Sequence, residues 1–191
     1  MDLSKRSIAC FSGLGVQAIP KSTKMKNNQK GCLVQGTLIS MADGTSKLIE
    51  EVVVGDEVKS IKLNQEAWVF EEVVGTVVEL QQAETELVYS INNGLIVASE
   101  DHKHIVRQKT PEGDAYTERW IVCDTTFVVA DDKMMGADGI EIEVTDKEEV
   151  TGTKTVHNLV VENHNTFIAN GVITYNEILP EVTEEETPAG E

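Results

Sequence analysis

Apolar residues in this chain come in short runs that alternate with polar positions or end at turn dipeptides. No stretch keeps the 3.6-residue period of an amphipathic helix over helical length. Asp43-Gly44, Asn93-Gly94, Asp138-Gly139 and Asn170-Gly171 punctuate these runs. Such pairs favour hairpin turns because they tolerate φ > 0. The pattern predicts strands at Thr37–Ser40, Lys47–Ile49, Glu57–Lys62 and Trp68–Leu80, the last with a bulge or kink at Gly75. Further strands are expected at Glu86–Ile91, Leu95–Val97, His104–Val106, Trp120–Val122, Phe127–Val129, Ile140–Val144 and Val150–Val161, with a turn at Pro111–Asp114. Many short strands with such turns and no helix imply an all-β domain built on a curled sheet. Its expected limits are Cys32 and Asn176, with a flank, Met1–Gly31, ahead of it and another, Glu177–Glu191, behind.

The C-terminal end of that domain carries the most specific local signal. Asn170-Gly171 separates Thr166–Ala169 from Val172–Tyr175, and a two-residue type I′ turn there fixes the register. Extended outward, that register sets Asn165 opposite Asn176 and His164 opposite Glu177. A proton-transfer residue would then face the Asn176–Glu177 peptide bond.

Charge and composition narrow the partners. A formal net charge of −17 over 191 residues argues against nucleic acid and anionic membrane. The charge is unevenly spread: Met1–Gly31 carries six Lys and Arg against one Asp, and Glu177–Glu191 carries six Glu and no base. Lys21–Lys30 reads as a basic linker and Glu181–Glu191 as a solvated acidic tail. Three widely spaced cysteines, Cys10, Cys32 and Cys123, form neither a disulfide framework nor a metal knuckle, so a reducing, cytoplasmic compartment is expected. The apolar stretch Ser7–Ile19 after Lys5-Arg6 faintly resembles the core of a secretory signal but is interrupted by Ser12, Gly13, Gly15 and Gln17, with no clean small-x-small cleavage site after it, so secretion is the lesser alternative. A monomer with no cofactor is expected.

Three places combine residue types that chemistry could use. Cys32 follows Gly31 at the domain's start. A thiol there could attack the Gly31 carbonyl and shift the amide to a thioester, the glycine leaving that carbonyl uncrowded; equally, Cys32 could be a small buried hydrophobe. Ser99-Glu100-Asp101-His102 follows a strand. Its hydroxyl could orient an amide, its imidazole protonate the amide nitrogen, and Asp101 accept from a nearby donor; a polar surface turn is the alternative. His104 shares the face of His102 by alternation, but no third ligand completes a metal site. Asn176 could attack its own carbonyl through its side-chain amide, closing a succinimide and expelling the amine of Glu177, or could simply end a strand. Cys123, in Trp120–Cys123, has a buried-strand pattern and is expected to pack.

Together the residues resemble a known superfamily. Cys32–Ser60 (CLVQGTLISMADGTSKLIEEVVVGDEVKS) resembles the N-terminal splicing motif of inteins and hedgehog-type autoprocessing domains. Ser99–His102 is similar to their Thr-x-x-His motif with serine for threonine, and Val156–Asn176 to their paired C-terminal motifs. The resemblance covers about three-quarters of the chain, with the motifs in order. It implies the horseshoe-shaped, pseudo-symmetric Hint fold without an inserted endonuclease domain, acting on its own flanks as substrate. It also implies that Cys32 is the thioester-forming nucleophile, that His102 with Ser99 activates the Gly31–Cys32 bond, and that Asn176 cyclises with help from His164.

Three positions depart from that pattern. Asn158 stands where many inteins have an aspartate, Tyr175 replaces the usual penultimate histidine, and Glu177 replaces the accepting Cys, Ser or Thr. The non-nucleophilic junction and Leu159–His164 are most similar to bacterial intein-like domains of type A, which cleave at either end. The resemblance therefore implies autocatalytic, single-turnover cleavage at both junctions. Its alternatives are splicing by attack of the freed C-terminal amine on the thioester, and a degenerate domain kept as a binding or structural module.

Overall fold

Asn170 and Gly171 both take positive φ, 48° and 78°, as a type I′ turn requires. The turn sets Ala169 opposite Val172 and carries the pairing out to Thr166 opposite Tyr175, the register expected from the dipeptide. This hairpin belongs to a computed structural model that describes residues 31–64, 69–109, 116 and 120–176. Trp68, the expected turn at Pro111–Asp114, the linker Lys21–Lys30, Cys10 and the Glu177–Glu191 flank lie outside those residues.

Among the described residues there are strands, two short 3₁₀ turns and no α-helix. In chain order the strands are β1 (Leu33–Val34), β2 (Leu38–Ser40), β3 (Ser46–Leu48), β4 (Glu57–Asn64), β5 (Val69–Ile91), β6 (Ile96–Ala98) and β7 (Lys103–Arg107). They continue with β8 (Ile121–Asp124), β9 (Lys133–Met135), β10 (Glu141–Glu143), β11 (Lys147–Val161), β12 (Thr166–Ala169) and β13 (Val172–Tyr175). One sheet runs β11-β1-β6-β5-β4 and closes on itself because β11 also pairs with β5. The other runs β10-β9-β7-β13-β12-β2-β3, with β8 on β7. The all-β expectation holds, and no endonuclease domain is inserted among the described residues.

Two expected strands, Trp68–Leu80 and Glu86–Ile91, are in fact one. β5 pairs with β4 as far as Thr76 and with β11 from Val77 to Ile91. The polar stretch Gln81–Glu84 looks like a break in the sequence, but it pairs residue by residue with Asn158–Thr155. That ladder satisfies the backbone whatever the side chains prefer.

Gly75 is not the expected bulge. It pairs in register with Val58, and a Cβ there would lie 2.2 Å from Val161 Cγ1 and 3.2 Å from Ser60 Cβ. Its role is close approach. One irregularity falls three residues on, where Val160 and Val161 face Glu79 and Val77 and leave Val78 over, and a second lies between Thr151 and Lys154.

Phe127–Val129 is likewise no strand. Thr125–Phe127 forms a 3₁₀ turn whose exit is held by a hydrogen bond from Val129 N to Asp132 Oδ2 (3.0 Å). Val128 still enters the core. β9 was not expected, because its three residues, Lys-Met-Met, are too short to show a period.

A buried side-chain clamp joins the sheets. Ser60 Oγ on β4 donates to the carbonyl of Thr166 on β12 (2.7 Å). Thr166 Oγ1 in turn accepts from Ile61 N (2.8 Å). One core spans both sheets, including Leu33, Ile91, Ile96, Leu159 and Phe167, and Cys123 packs into it as expected. Because Gly75 sits against Val161 and this clamp, Gly75→Ala should destabilise the fold by about 1–3 kcal/mol, measured by urea denaturation.

Candidate active site

β1 has only two residues, and both its edges are used. Leu33 faces Ala98 of β6 and His157 of β11, with Val34 facing Val156. Carried one residue back, these registers set Cys32 between Ser99 and Asn158. The first of these contacts is closed by two hydrogen bonds. Ser99 N donates to the Cys32 carbonyl (2.9 Å), and Cys32 N donates to Ser99 Oγ (2.9 Å). Ser99 Oγ spends its own proton on Asp101 Oδ1 (2.8 Å), which leaves a lone pair for the Cys32 amide.

Gly31 completes this corner. Its φ is 70°, and a Cβ would stand 3.0 Å from His102 Cα and 3.4 Å from His102 Nδ1. Both the torsion and the lack of space call for glycine. The Gly31–Cys32 peptide therefore runs beside the His102 ring.

The C-terminal end arrives by a third register. Thr174 of β13 faces His104 and Tyr175 faces Lys103; Asn176 follows the last of these pairs along β13 as His102 precedes it along β7. Three hydrogen bonds hold Asn176. Its backbone N donates to the Asn165 carbonyl (2.6 Å), its Nδ2 donates to the Leu159 carbonyl (2.9 Å), and its Oδ1 accepts from Asn158 Nδ2 (3.2 Å). Asn158 Nδ2 also reaches Gln81 Oε1 (3.3 Å). Cys32, Ser99, Asp101 and His102 thus form one corner, and Asn158 with Asn176 another, each from segments far apart in sequence.

Burial sets their protonation. Cys32 and Asn176 are almost fully buried, and His102 is wholly so. Burial, reinforced by the Asp101 carboxylate, pushes the Cys32 thiol up to about 12. Burial lowers His102 to about 4 against smaller raising effects from the Gly31 backbone, Asp101 and Asp124. The Gly31 peptide lies close enough to favour the imidazolium, although neither ring nitrogen meets hydrogen-bond geometry among the described residues. At neutral pH the pair is a thiol and a neutral imidazole. Among the described residues no three His, Cys, Asp or Glu side chains converge as a metal site requires.

The fold that carries these residues is similar to solved structures. A bacterial intein-like domain from Clostridium thermocellum superposes with a TM-score of 0.61 at 23% identity, covering 76% of this chain and 98% of its own. A DnaB intein from Synechocystis gives 0.57 at 19% identity, covering 78% of this chain and 99% of its own. The TvoVMA intein gives 0.60 at 13% identity, covering 78% and 99%. The chain has the intein fold. No family model matches it, and neither does any curated protein.

Within the intein fold, the expected residues fall into two groups. Gly31, Cys32, Ser99, Asp101 and His102 lie together where β1 meets β6 and the start of β7, and Asn176 is held beyond β13 by Asn158, Leu159 and Asn165. The expected facing of Asn165 and Asn176 is met by the hydrogen bond from Asn176 N to the Asn165 carbonyl, while the expected partner of His164, Glu177, lies outside the described residues. β12 begins at Thr166, and positive φ at Asn163 and Asn165 (67° and 52°) turns the chain, leaving His164 half-buried on that turn. Tyr175 is half-buried opposite Lys103 and Thr166, and Glu177 lies outside the described residues.

Gln81 and Thr125 were not anticipated at the site. Each enters through a pairing or turn formed at long range, and no spacing in the sequence marks them.

The His102 shift has a thermodynamic consequence. Its folded pKa lies below the ordinary histidine value, so between about pH 6.5 and pH 4 the unfolded chain binds a proton that the folded chain does not. Stability must fall as pH is lowered through that window, by about 3 kcal/mol from this group. Denaturation from pH 7 to pH 4 should therefore show a steeper loss in the parent chain than in His102→Gln.

Proposed function

We propose that residues 32–176 form an autoprocessing domain that cleaves its own flanks, once per molecule. The hydrogen bond from Cys32 N to Ser99 Oγ (2.9 Å) carries this reading, because it engages the one amide nitrogen that an N–S acyl shift must release. Accepting that proton concentrates electron density on the nitrogen and eases its protonation. Asp101, by taking the serine proton, keeps the hydroxyl in the accepting orientation.

The shift then balances without an outside acid. Sγ of Cys32 bonds to the Gly31 carbonyl carbon, the C–N bond breaks, and the thiol proton ends on the Cys32 nitrogen. The neutral imidazole of His102, beside that peptide, takes the proton from sulfur and gives it to nitrogen. A thiol as weakly acidic as Cys32 makes no standing thiolate, so proton transfer must accompany attack. Water or an added thiol then cleaves the thioester and releases Met1–Gly31.

At the other junction, Asn176 Nδ2 bonds to its own carbonyl carbon. The bond to Glu177 N breaks, and a proton passes from the amide to the leaving amine. The Leu159 carbonyl and the Asn158 amide hold the side chain for this step. Asn158 acts as a hydrogen-bond donor where an aspartate would offer an acid or base, and His164 serves as the proton carrier. Glu177 is a poor acyl acceptor, which favours cleavage over joining. Splicing by attack of the freed Glu177 amine on the thioester is the second outcome, and its product is Met1–Gly31 joined to Glu177–Glu191.

Purified chain incubated with dithiothreitol should release Met1–Gly31, read by intact-mass spectrometry. Cys32→Ala should abolish release at Gly31, and Asn176→Ala should abolish cleavage before Glu177. Fragments that persist in both variants, or a parent chain that stays whole, would overturn the proposal. Loss of one hydrogen bond in Asn158→Ala is worth about 1 kcal/mol, so C-terminal cleavage should slow by about fivefold while N-terminal release is unaffected.

A further inference from the structure

The proposed chemistry at Gly31–Cys32 leaves one buried histidine without a task. His104 is fully buried in β7, opposite Cys123 of β8 and Thr174 of β13. Its neighbours on the strand, Ile105 and Val106, are ordinary core residues. An aliphatic residue at position 104 would serve packing better, because the imidazole Nδ1 has no hydrogen-bond partner among the described residues and an unpaired buried polar atom is destabilising.

The contacts of the other edge of the ring account for its presence. His104 Nε2 lies 2.9 Å from Thr125 Oγ1. Thr125 Oγ1 donates to the His102 carbonyl (3.1 Å), and Thr125 N donates to the same oxygen (2.8 Å). Thr125 has one hydroxyl proton, and the His102 carbonyl takes it. His104 must then be the donor, through Nε2–H, with Nδ1 left as a bare lone pair. The Thr125 carbonyl is held from the far side by Lys147 Nζ (3.0 Å). The His104 and His102 rings also meet edge to face, with centroids 5.1 Å apart at 69°. His102 itself has no hydrogen bond on either ring nitrogen among the described residues, so its place depends on its backbone and on this ring contact.

We propose that His104 and Thr125 are positioning residues for His102: they lock its main chain and the edge of its ring beside the Gly31–Cys32 peptide. The proposal rests on the autoprocessing reading and adds to it two residues that touch neither junction. It separates the junctions, because Asn176 is held by Asn158, Leu159 and Asn165 and not by this clamp.

The test follows both cleavages in the same full-length chain by intact mass. His104→Leu and Thr125→Val should each slow dithiothreitol-induced release of Met1–Gly31 by about tenfold, with cleavage before Glu177 unchanged within about twofold. His104→Gln, whose amide N–H can reach the Thr125 hydroxyl, should recover most of the rate. The double variant His104→Leu/Thr125→Val should be no slower than the slower single one, since both break the same clamp. An unchanged rate in His104→Leu, an equal slowing at both junctions, or additive losses in the double variant would each overturn the proposal.

If the parent chain releases no Met1–Gly31, the autoprocessing reading fails, and the clamp is judged separately. In Cys32→Ala, ¹⁵N spectra of the His102 ring should show one set of signals, retained with His104→Gln and broadened or multiplied with His104→Leu. Identical His102 signals in all three would overturn the clamp.

Discussion

Everything at the candidate site depends on one ladder, the antiparallel pairing of Val77–Ile91 with Lys147–Val161. It joins more residue pairs than any other two strands among the described residues, across two irregularities, and both of its strands outrun their local sequence preference. Because β11 also pairs with β1, and β5 with β6, the ladder forms a closed ring with two very short strands. A two-residue strand such as β1 has little stability of its own. Held on both edges, it sets the position of Cys32 from both sides.

The same ring makes the site dry. Cys32 packs with Val88 and Val156 in a small apolar cluster, and His102 is inaccessible to solvent. In such surroundings a thiolate and an imidazolium are both disfavoured, as the opposite shifts of Cys32 and His102 show. A reaction there would have to move a proton along with the heavy atoms, and every polar contact around the Gly31–Cys32 amide gains strength from the low dielectric. The hydrogen bonds among Cys32, Ser99 and Asp101 are therefore the electrostatic frame of the N-terminal corner. The amides of Asn158 and Asn176 play the equivalent part at the other.

Much of the fold was legible beforehand, for local reasons. The Asn170-Gly171 turn could be read because few residues tolerate consecutive positive φ, and its register followed from turn geometry alone. The all-β class followed from the absence of helical period. The misreadings have a common cause in long-range contact. Gln81–Glu84 looked like a break but became strand because Thr155–Asn158 lay alongside. Gly75 looked like a kink but is a point of contact with Val161. Phe127–Val129 had strand composition but closes a 3₁₀ turn held by Asp132.

For the site, residue types at the domain's borders were visible in the chain: Gly31 before Cys32, Ser99 three residues ahead of His102, and Asn176 beyond a tight hairpin. These are statements about covalent neighbours, which a sequence determines. Which of them meet was decided by pairings among β1, β6, β7, β11 and β13. Gln81 and Thr125 reach the site only through such contacts, and the turn that carries His164 depends on the backbone torsions of Asn163 and Asn165. Sequence spacing encodes chemistry within a few residues. Contact between Cys32 and Ser99, or Asn158 and Asn176, exists only once closure of the β5–β11 ring has offset the entropy of bringing distant segments together.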